Sequence, residues 1–429
     1  MPRPSILLRA AALLLALPAC HRGTSGGRTP AVPDPARLAR DVAVLAGDAY
    51  EGRGTGTPGA DSASAFLVRR YRALGIAPGI AGDVQPFTVR PSGHTGHVPL
   101  EARNVVAVIP GTDPALRGQY VVLGAHYDHL GRSPFGANDP QAGNAIRNGA
   151  DDNASGTAAV LELARLLRAH PTRRSVMLVH FSGEELGLLG SQQFVTTPPI
   201  PTDSMQAMLN FDMVGRLTND QLVVYGVATA AELRAMVDSA NARLAPPLAV
   251  AARADGFGPS DHASFFMKSV PVLHFFTNTH ADYHEATDDA EKFNAAGAAR
   301  VVALAYGIVR ELGDRPARLT FERGAQQPMA AGRTRTEVYL GSVPDMAGGD
   351  DGQGLRLSGV VPGSPAEAAG LREGDVVVEL GGVAVTDLQT YSNALYAHQP
   401  GDTVDIVVRR GTERLTIRVT LGRRGERRG

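Results

Sequence analysis

Between about Asp34 and Leu312 the chain alternates two apolar patterns, and this alternation limits its fold more than any other feature. The runs YVVLGA (120–125), SVMLVHF (175–181) and VPVLHFF (270–276) are short, continuous and rich in β-branched or aromatic residues. Strands buried on both faces read this way. Between them, SASAFLVRRYRAL (62–74) and GTAAVLELARLLRAH (156–170) repeat apolar positions at helical spacing. The alternation predicts an α/β fold: a three-layer α/β/α arrangement with a mixed, mainly parallel sheet. At 429 residues and 43% hydrophobic content there is material for a large core and a second unit.

The pattern stops near Gly313. GDRPARLTFERGAQQPMAAGRTR (313–335) mixes Gly, Pro and charge without periodicity and reads as a connector. Beyond it, GLRLSGVV, DVVVEL and TVDIVVRR surround one helical stretch, DLQTYSNALYA, which predicts a small β-rich module. The organisation expected is therefore a core domain at 36–312, a linker at 313–332, a β-rich domain at 333–423 and a basic tail at 424–429. Before residue 36, MPRPSILLRAAALLLALPAC has the basic start and short apolar stretch of an export signal, and residues 21–35 read as a tether. The signal resembles a bacterial lipoprotein type, with Leu17-Pro18-Ala19-Cys20 as lipobox, Pro18 replacing the usual small residue, and Cys20 as the lipidated residue. This implies a cell-envelope protein facing the periplasm, touching membrane only through that lipid. Cleavage to a freely soluble product is the alternative.

Forty-two basic residues nearly balance 43 acidic ones, so no nucleic-acid partner is implied. Cys20 is the only cysteine, which excludes an intramolecular disulfide and a thiolate metal site. Any metal must be held by His, Asp and Glu.

Those residues gather where predicted strands end. YVVLGA runs into His126, Tyr127 and Asp128; SVMLVHF into Glu184 and Glu185; MLNF into Asp212; VPVLHFF is followed by His280, Asp282, Tyr283 and His284. Asp151 and Asp152 precede the helix near Gly156. Each position alone has a structural explanation, as a helix cap, a first-turn acid or a turn residue. Together they do not, because crowded carboxylates repel unless cations neutralise them. A pair of metal ions fits the number of ligands.

The segments AHYDHLG, GADDNASG, SGEELGLLGS, NFDMVG, GPSDHASF and DYHEATD resemble, in order and surroundings, those of the M28 family of zinc aminopeptidases. The resemblance implies two zinc ions. His126 and Asp212 would bind the first, Glu185 and His284 the second, and Asp152 would bridge them beside a cis peptide bond to Asn153. Asp128 would orient the His126 ring, Glu184 would be the general base, and Tyr283 would donate its hydroxyl to the oxyanion. Substrates would be peptides with a free N-terminus. His129 and His280 compete for coordination, but His126 and His284 match the motif positions. His180 and His274 lie within apolar runs and are expected in the core, while His262 is expected in a structural or cleft-wall role. A single-zinc glutaminyl cyclase and a non-catalytic envelope adaptor are the rival readings.

The C-terminal module, with VVPGSPAEAAGLREGDVVVELGGVAV, resembles a PDZ domain of the kind attached to bacterial proteases. Its carboxylate loop would be Tyr339, Leu340, Gly341, Ser342 and Val343, a departure from the commoner Gly-Leu-Gly-Phe. The implied partner is an extended peptide or a protein C-terminus; a packing module with an unused groove is the alternative.

Overall fold

Asp34 starts the first helix: its carboxylate accepts the N–H of Ala36 at 2.9 Å, and Pro35 occupies the first turn of α1 (Pro35–Leu45). The computed structural model describes Met1 and residues 32–80, 82–89, 99–134, 136–323, 338–344, 354–361, 363–386 and 388–423. The export signal with Cys20, most of the tether, part of the connector, and the basic tail lie outside the described residues. The tether's last residues are fastened rather than loose: the Asp34 N–H donates to Glu162 at 2.8 Å and Arg165 donates to the Val32 carbonyl at 3.0 Å.

The first domain has helices α2 (Pro58–Ala73), α3 (Gly156–Ala169), α4 (Leu189–Thr196), α5 (Leu233–Ala242), α6 (His262–Met267) and α7 (Ala295–Asp314). Its strands are β1 (Ala77–Pro78), β2 (Val84–Val89), β3 (Leu100–Ile109), β4 (Tyr120–His126), β5 (Ser175–Phe181), β6 (Met205–Phe211), β7 (Gln221–Tyr225), β8 (Ala249–Ala252) and β9 (Val272–Phe276). The sheet runs β1-β3-β5-β4-β6-β9-β7-β8, with β2 also on β3. Its centre, β5-β4-β6-β9, is parallel, while β3 and β7 join it antiparallel. Every residue of β5, β6 and β9 is buried, because helices cover both faces. Helices α1, α3 and α7 pack together on one side. On the other, Phe194 of α4 and Phe265 and Phe266 of α6 meet Val122, Met177, Val179, Phe181 and Met208. Gly124 gives these side chains room, since a Cβ there would stand 2.6 Å from the Met208 methyl.

The first part of the connector is fastened to the first domain. Helix α7 runs to Asp314, and the buried Arg174 donates to the carbonyls of Leu312, Pro316 and Ala317 at 3.2–3.3 Å. Arg315 pairs with Glu232 at 3.1 Å, and Phe321 forms a bridge with Ala230. Residues 315–323 are thus part of the first domain's surface.

The second domain holds β10 (Val338–Tyr339), β11 (Ser342–Pro344), β12 (Leu355–Val360), β13 (Val376–Leu380), β14 (Val383–Ala384), β15 (Thr403–Arg410), β16 (Glu413–Thr420) and β17 (Gly422–Arg423), with helices α8 (Pro365–Ala368) and α9 (Leu388–Tyr396). Antiparallel strands β11-β12-β13-β15-β16 form its sheet, and β10 pairs with β17 to close its ends. Leu357, Val377, Leu380, Tyr391, Ile406 and Val408 fill its core. The described residues from Val32 onward form one compact unit.

Candidate metal centre

Parallel register sets the carboxyl ends of the central strands level: His126 lies opposite Phe181, Gly124 opposite Asn210, and Phe211 opposite Phe275. The loops that leave these ends converge over the sheet. His126 is the last residue of β4, Glu184 and Glu185 follow β5, and Asp212 follows β6. His284 arrives on the loop after β9 with φ 57°, and Asp152 precedes α3 with a cis peptide bond to Asn153. Asn153 ties two of these loops together: its Oδ1 accepts from Gly156 at 2.8 Å and Met213 at 3.3 Å, and its Nδ2 donates to the Phe211 carbonyl at 2.9 Å.

Asp152 faces two ways. Its Oδ1 is 3.4 Å from His126 Nε2, which is also 3.3 Å from Asp212 Oδ1. Its Oδ2 is 3.1 Å from His284 Nε2, which is also 3.3 Å from Glu185 Oε2. Two sets of ligand atoms thus share one carboxylate. The Glu184 carboxylate lies at their edge, 3.9 Å from His126 Nε2.

The ligands are held from behind. His126 Nδ1 lies 3.1 Å from the Asp128 carbonyl and His284 Nδ1 lies 2.8 Å from the Gly136 carbonyl. A ring that donates there turns its Nε2 to the carboxylates, where that nitrogen could serve a metal ion. Ser260 donates to Asp212 Oδ2 at 2.7 Å, while Asp212 Oδ1 is buried without a hydrogen-bond partner among the described residues. Asp288 accepts the N–H groups of Asp151 and Asp152 at 2.8 and 3.1 Å, with Arg216 at 2.8 Å beside it. The fully buried Arg53 donates to the carbonyls of Leu45, Tyr127, Asn148 and Gly149 at 2.6–2.8 Å, clamping the His126 and Asp152 loops to α1.

The two adjacent glutamates have opposite tendencies. Burial raises the pKa of Glu184 well above the usual carboxylate range, and Glu185 and Asp212 add to this against the pull of His126. Burial pushes Glu185 up as well, but the imidazoles of His284 and His129 outweigh it and hold it well below. For His284 burial works against the charged ring, yet Glu185 and Asp152 raise it to about 9. The two neighbouring carboxyls are thus driven in opposite directions, the kind of separation that acid–base chemistry uses.

Of the residues expected from sequence, His126, Asp152, Glu184, Glu185, Asp212 and His284 come together, and the half-buried Tyr283 stacks on His284 with ring centroids 3.9 Å apart. Asp128 departs from expectation. Its carboxylate is 3.8 Å from His126 Nδ1, too far to orient the ring, and instead accepts from Thr55 at 2.7 Å and the Glu184 N–H at 3.2 Å. Asp128 orients His126 through its carbonyl and positions the glutamate loop through its carboxylate. His129 is closer than expected: its Nδ1 lies 2.9 Å from Glu185 Oε1 and 3.7 Å from Asp152 Oδ2. His280 instead pairs with Asp151 at 3.1 Å. His180 is fully buried against Tyr71 at 2.5 Å and driven by burial down to about 3. His262 stacks on His274 at 4.3 Å; His274 is buried yet also lines the cleft. Ser260 and Arg53 were not anticipated; the run GPSDHASF pointed toward the first, whereas a single arginine in EGRGTG carries no signal of its own.

The atoms fit metal ions. His126, Asp152 and Asp212, and likewise His129, Asp152 and Glu185, place ligand atoms within 4.8 Å of one another. Imidazole and carboxylate donors without thiolate suit zinc. The centre floors a cavity of about 590 Å³ whose walls include Tyr283, Phe276 and, from the second domain, Leu340, Gly341, Ser342, Val360 and Tyr391.

Residues 104–309 match the model of peptidase family M28, and residues 338–421 match that of the PDZ domain. The chain therefore carries an M28 peptidase domain followed by a PDZ domain. It is 38% identical over 117 residues to a probable zinc metalloprotease of Pyrenophora teres, covering 27% of this chain and 23% of that protein. It is 28% identical over 325 residues to leupeptin-inactivating enzyme 1 of Streptomyces exfoliatus, covering 71% and 67% of the two. The chain thus spans about a quarter of the length of the first of these relatives. In fold it is similar to an aminopeptidase from Aneurinibacillus sp. strain AM-1 (TM-score 0.54, 17% identity, 68% of this chain and 96% of the other). A glutaminyl cyclase from Bacteroides thetaiotaomicron, bound to N-acetylhistamine, is similar to the same degree (TM-score 0.54, 18% identity, 65% and 99%).

Proposed function

We propose that this chain is a co-catalytic di-zinc aminopeptidase. The observation that carries the reading is the two-sided Asp152, with His126 and Asp212 at one oxygen and His284 and Glu185 at the other. His126 and Asp212 would hold one ion, Glu185 and His284 the second, and Asp152 both. Zinc, when bound, makes water acidic and polarises a carbonyl. Glu184 takes the proton of the attacking water and returns it to the departing amine. The Tyr283 hydroxyl donates to the developing oxyanion, and the anionic carboxylates of the floor hold the substrate's N-terminal ammonium. That ammonium is what restricts cleavage to the first residue.

Zinc content and a substrate pair test the reading. Nearly two zinc ions per chain are expected, with hydrolysis of leucine p-nitroanilide and none of its N-acetyl derivative. One zinc together with cyclisation of an N-terminal glutamine would favour the cyclase reading that the Bacteroides fold neighbour raises. The two complete ligand sets support the peptidase. Lipid anchoring in the envelope through Cys20 belongs to the same proposal: Cys20→Ser is expected to release the protein from the membrane fraction.

A further inference from the structure

The PDZ loop expected to capture a carboxylate lies in the wall of the metal-centre cavity. Leu340, Gly341 and Ser342 border the same 590 Å³ space as His126, Asp152, Glu184 and His284. The Thr279 hydroxyl, on the segment leading from β9 to His284, donates to the Pro344 carbonyl at 3.2 Å and fastens the strand that follows the loop. Gly341 turns the loop at φ 81°, where a Cβ would stand 2.2 Å from that of Ser364. The carbonyls of Leu340 and Gly341 point into the PDZ domain, accepting from Ala366 at 2.8 Å and Val361 at 2.7 Å. Their N–H groups make no backbone hydrogen bond to any described residue. Val360, Tyr391 and Leu395 add an apolar wall beside the loop. Among the described residues lining the cavity there is no lysine or arginine, and His280 is engaged by Asp151 at 3.1 Å, which leaves the Leu340 and Gly341 amides as donors for an anion.

Resting on the aminopeptidase reading, we propose that the Leu340-Gly341 amides hold the C-terminal carboxylate of the substrate itself, which makes the protein selective for short free-acid peptides with an apolar last residue. Such a peptide is gripped at both ends. Its ammonium meets the carboxylates of the floor, its carboxylate accepts the two amides in charge-assisted hydrogen bonds, and its last side chain lies on Val360, Tyr391 and Leu395. A cavity of this size encloses a drug-sized ligand, a peptide of about three or four residues. A longer peptide cannot bring both ends to their places at once and forgoes one grip.

The experiment compares Leu-Ala-Phe, its C-terminal amide and a dodecapeptide beginning Leu-Ala, with leucine p-nitroanilide as reference, on the full zinc-loaded chain. The free acid is expected to exceed the amide and the dodecapeptide at least about tenfold in kcat/KM, chiefly through KM, as when binding shared by ground and transition states is removed. Val360→Glu, which sets a second carboxylate beside the first, is expected to bring the acid-to-amide ratio close to one. Equal rates for acid and amide in the parent chain, with the p-nitroanilide hydrolysed, overturn the carboxylate assignment and leave the peptidase reading standing. Absence of p-nitroanilide hydrolysis overturns the peptidase reading itself. Should Val360→Glu fail to fold, the ratio in the parent chain still decides. Binding of a separate C-terminal peptide that leaves Leu-Ala-Phe hydrolysis uninhibited would place the groove's ligand outside the catalytic cavity and also overturn the proposal.

Discussion

The metal floor and the PDZ wall face each other across one cavity, and they are built differently. On the floor, His126, Asp152, Glu185 and His284 are 5% exposed or less, and each leaves from the end of a central parallel strand or a loop clamped beside one. The wall is carried by β10 and β11, of two and three residues, and by the partly exposed Ser342 and Val360. Rigid strand ends suit groups that must hold reacting atoms within fractions of an ångström. A wall of short strands suits recognition of a peptide end, where backbone amides supply the contact whatever the side chain. Substitutions on the floor should therefore change the chemistry, and substitutions that loosen the PDZ domain away from the cavity should change its stability alone.

The sharpest test of the shared floor is Asp152→Asn. If one carboxylate serves both ligand sets, both zinc ions should be lost together, and hydrolysis of leucine p-nitroanilide should fall by about 10³-fold or more, several kcal/mol of charge stabilisation at 1.36 kcal/mol per decade. Metal analysis showing one ion retained would place the bridge elsewhere. A smaller effect is expected for Glu184→Gln, which keeps both ions and the fold but loses about 10²-fold or more in kcat, the scale of general-base catalysis. Full activity in this variant would remove the distinction drawn between the two glutamates.

Much of the floor was legible because His126, Glu185 and Asp212 stand at or just beyond the ends of apolar runs that read as buried strands, whereas Asp152 and His284 lie on loops and were placed by their motifs. The preference for His126 and His284 over His129 rests on motif position alone, and His129 also lies within ligand distance of Asp152 and Glu185. The rings differ in what backs them: the His126 ring has the Asp128 carbonyl at Nδ1, whereas His129 turns its Nδ1 to Glu185. Sequence points to Asp128 beside the His126 ring but cannot tell whether its carbonyl or its carboxylate stands nearer, and here the carbonyl does. Arg53 escaped notice for a related reason. Its four acceptors are main-chain carbonyls from three distant segments, and main-chain groups leave no trace in residue identity. The loop at residues 339–343 was picked out by its resemblance to a PDZ domain, but not its place beside the His and carboxylate cluster. That placement rests on tertiary contacts such as Thr279 to Pro344, which have no periodicity to read.

The smallest effect expected tests the wall's independence. Arg410 grips the buried Asp375 through two hydrogen bonds of 2.7 and 2.8 Å and ties β15 to the turn before β13, away from the cavity. Burial pushes the Asp375 carboxyl up, but the bonds from Arg410 and the Arg372 N–H outweigh it and hold its pKa below the ordinary 3.8. A depressed carboxylate contributes its stability in full above the unfolded value and loses it as pH falls through the lower, folded one. Arg410→Gln should therefore cost about 1 kcal/mol at pH 7, since the arginine is partly exposed and screened. The measurement is the urea midpoint at which β13 and β15 lose hydrogen-exchange protection, and the gap between parent and variant should narrow as pH falls below the ordinary carboxylate value and the carboxyl takes up its proton. Hydrolysis of leucine p-nitroanilide at pH 7 and 25 °C should stay within about twofold of the parent, because the change is remote from the groups that meet substrate. A tenfold fall in that rate would show that the PDZ framework sets the geometry of the metal floor, and the contrast between a catalytic floor and a recognition wall would have to be given up.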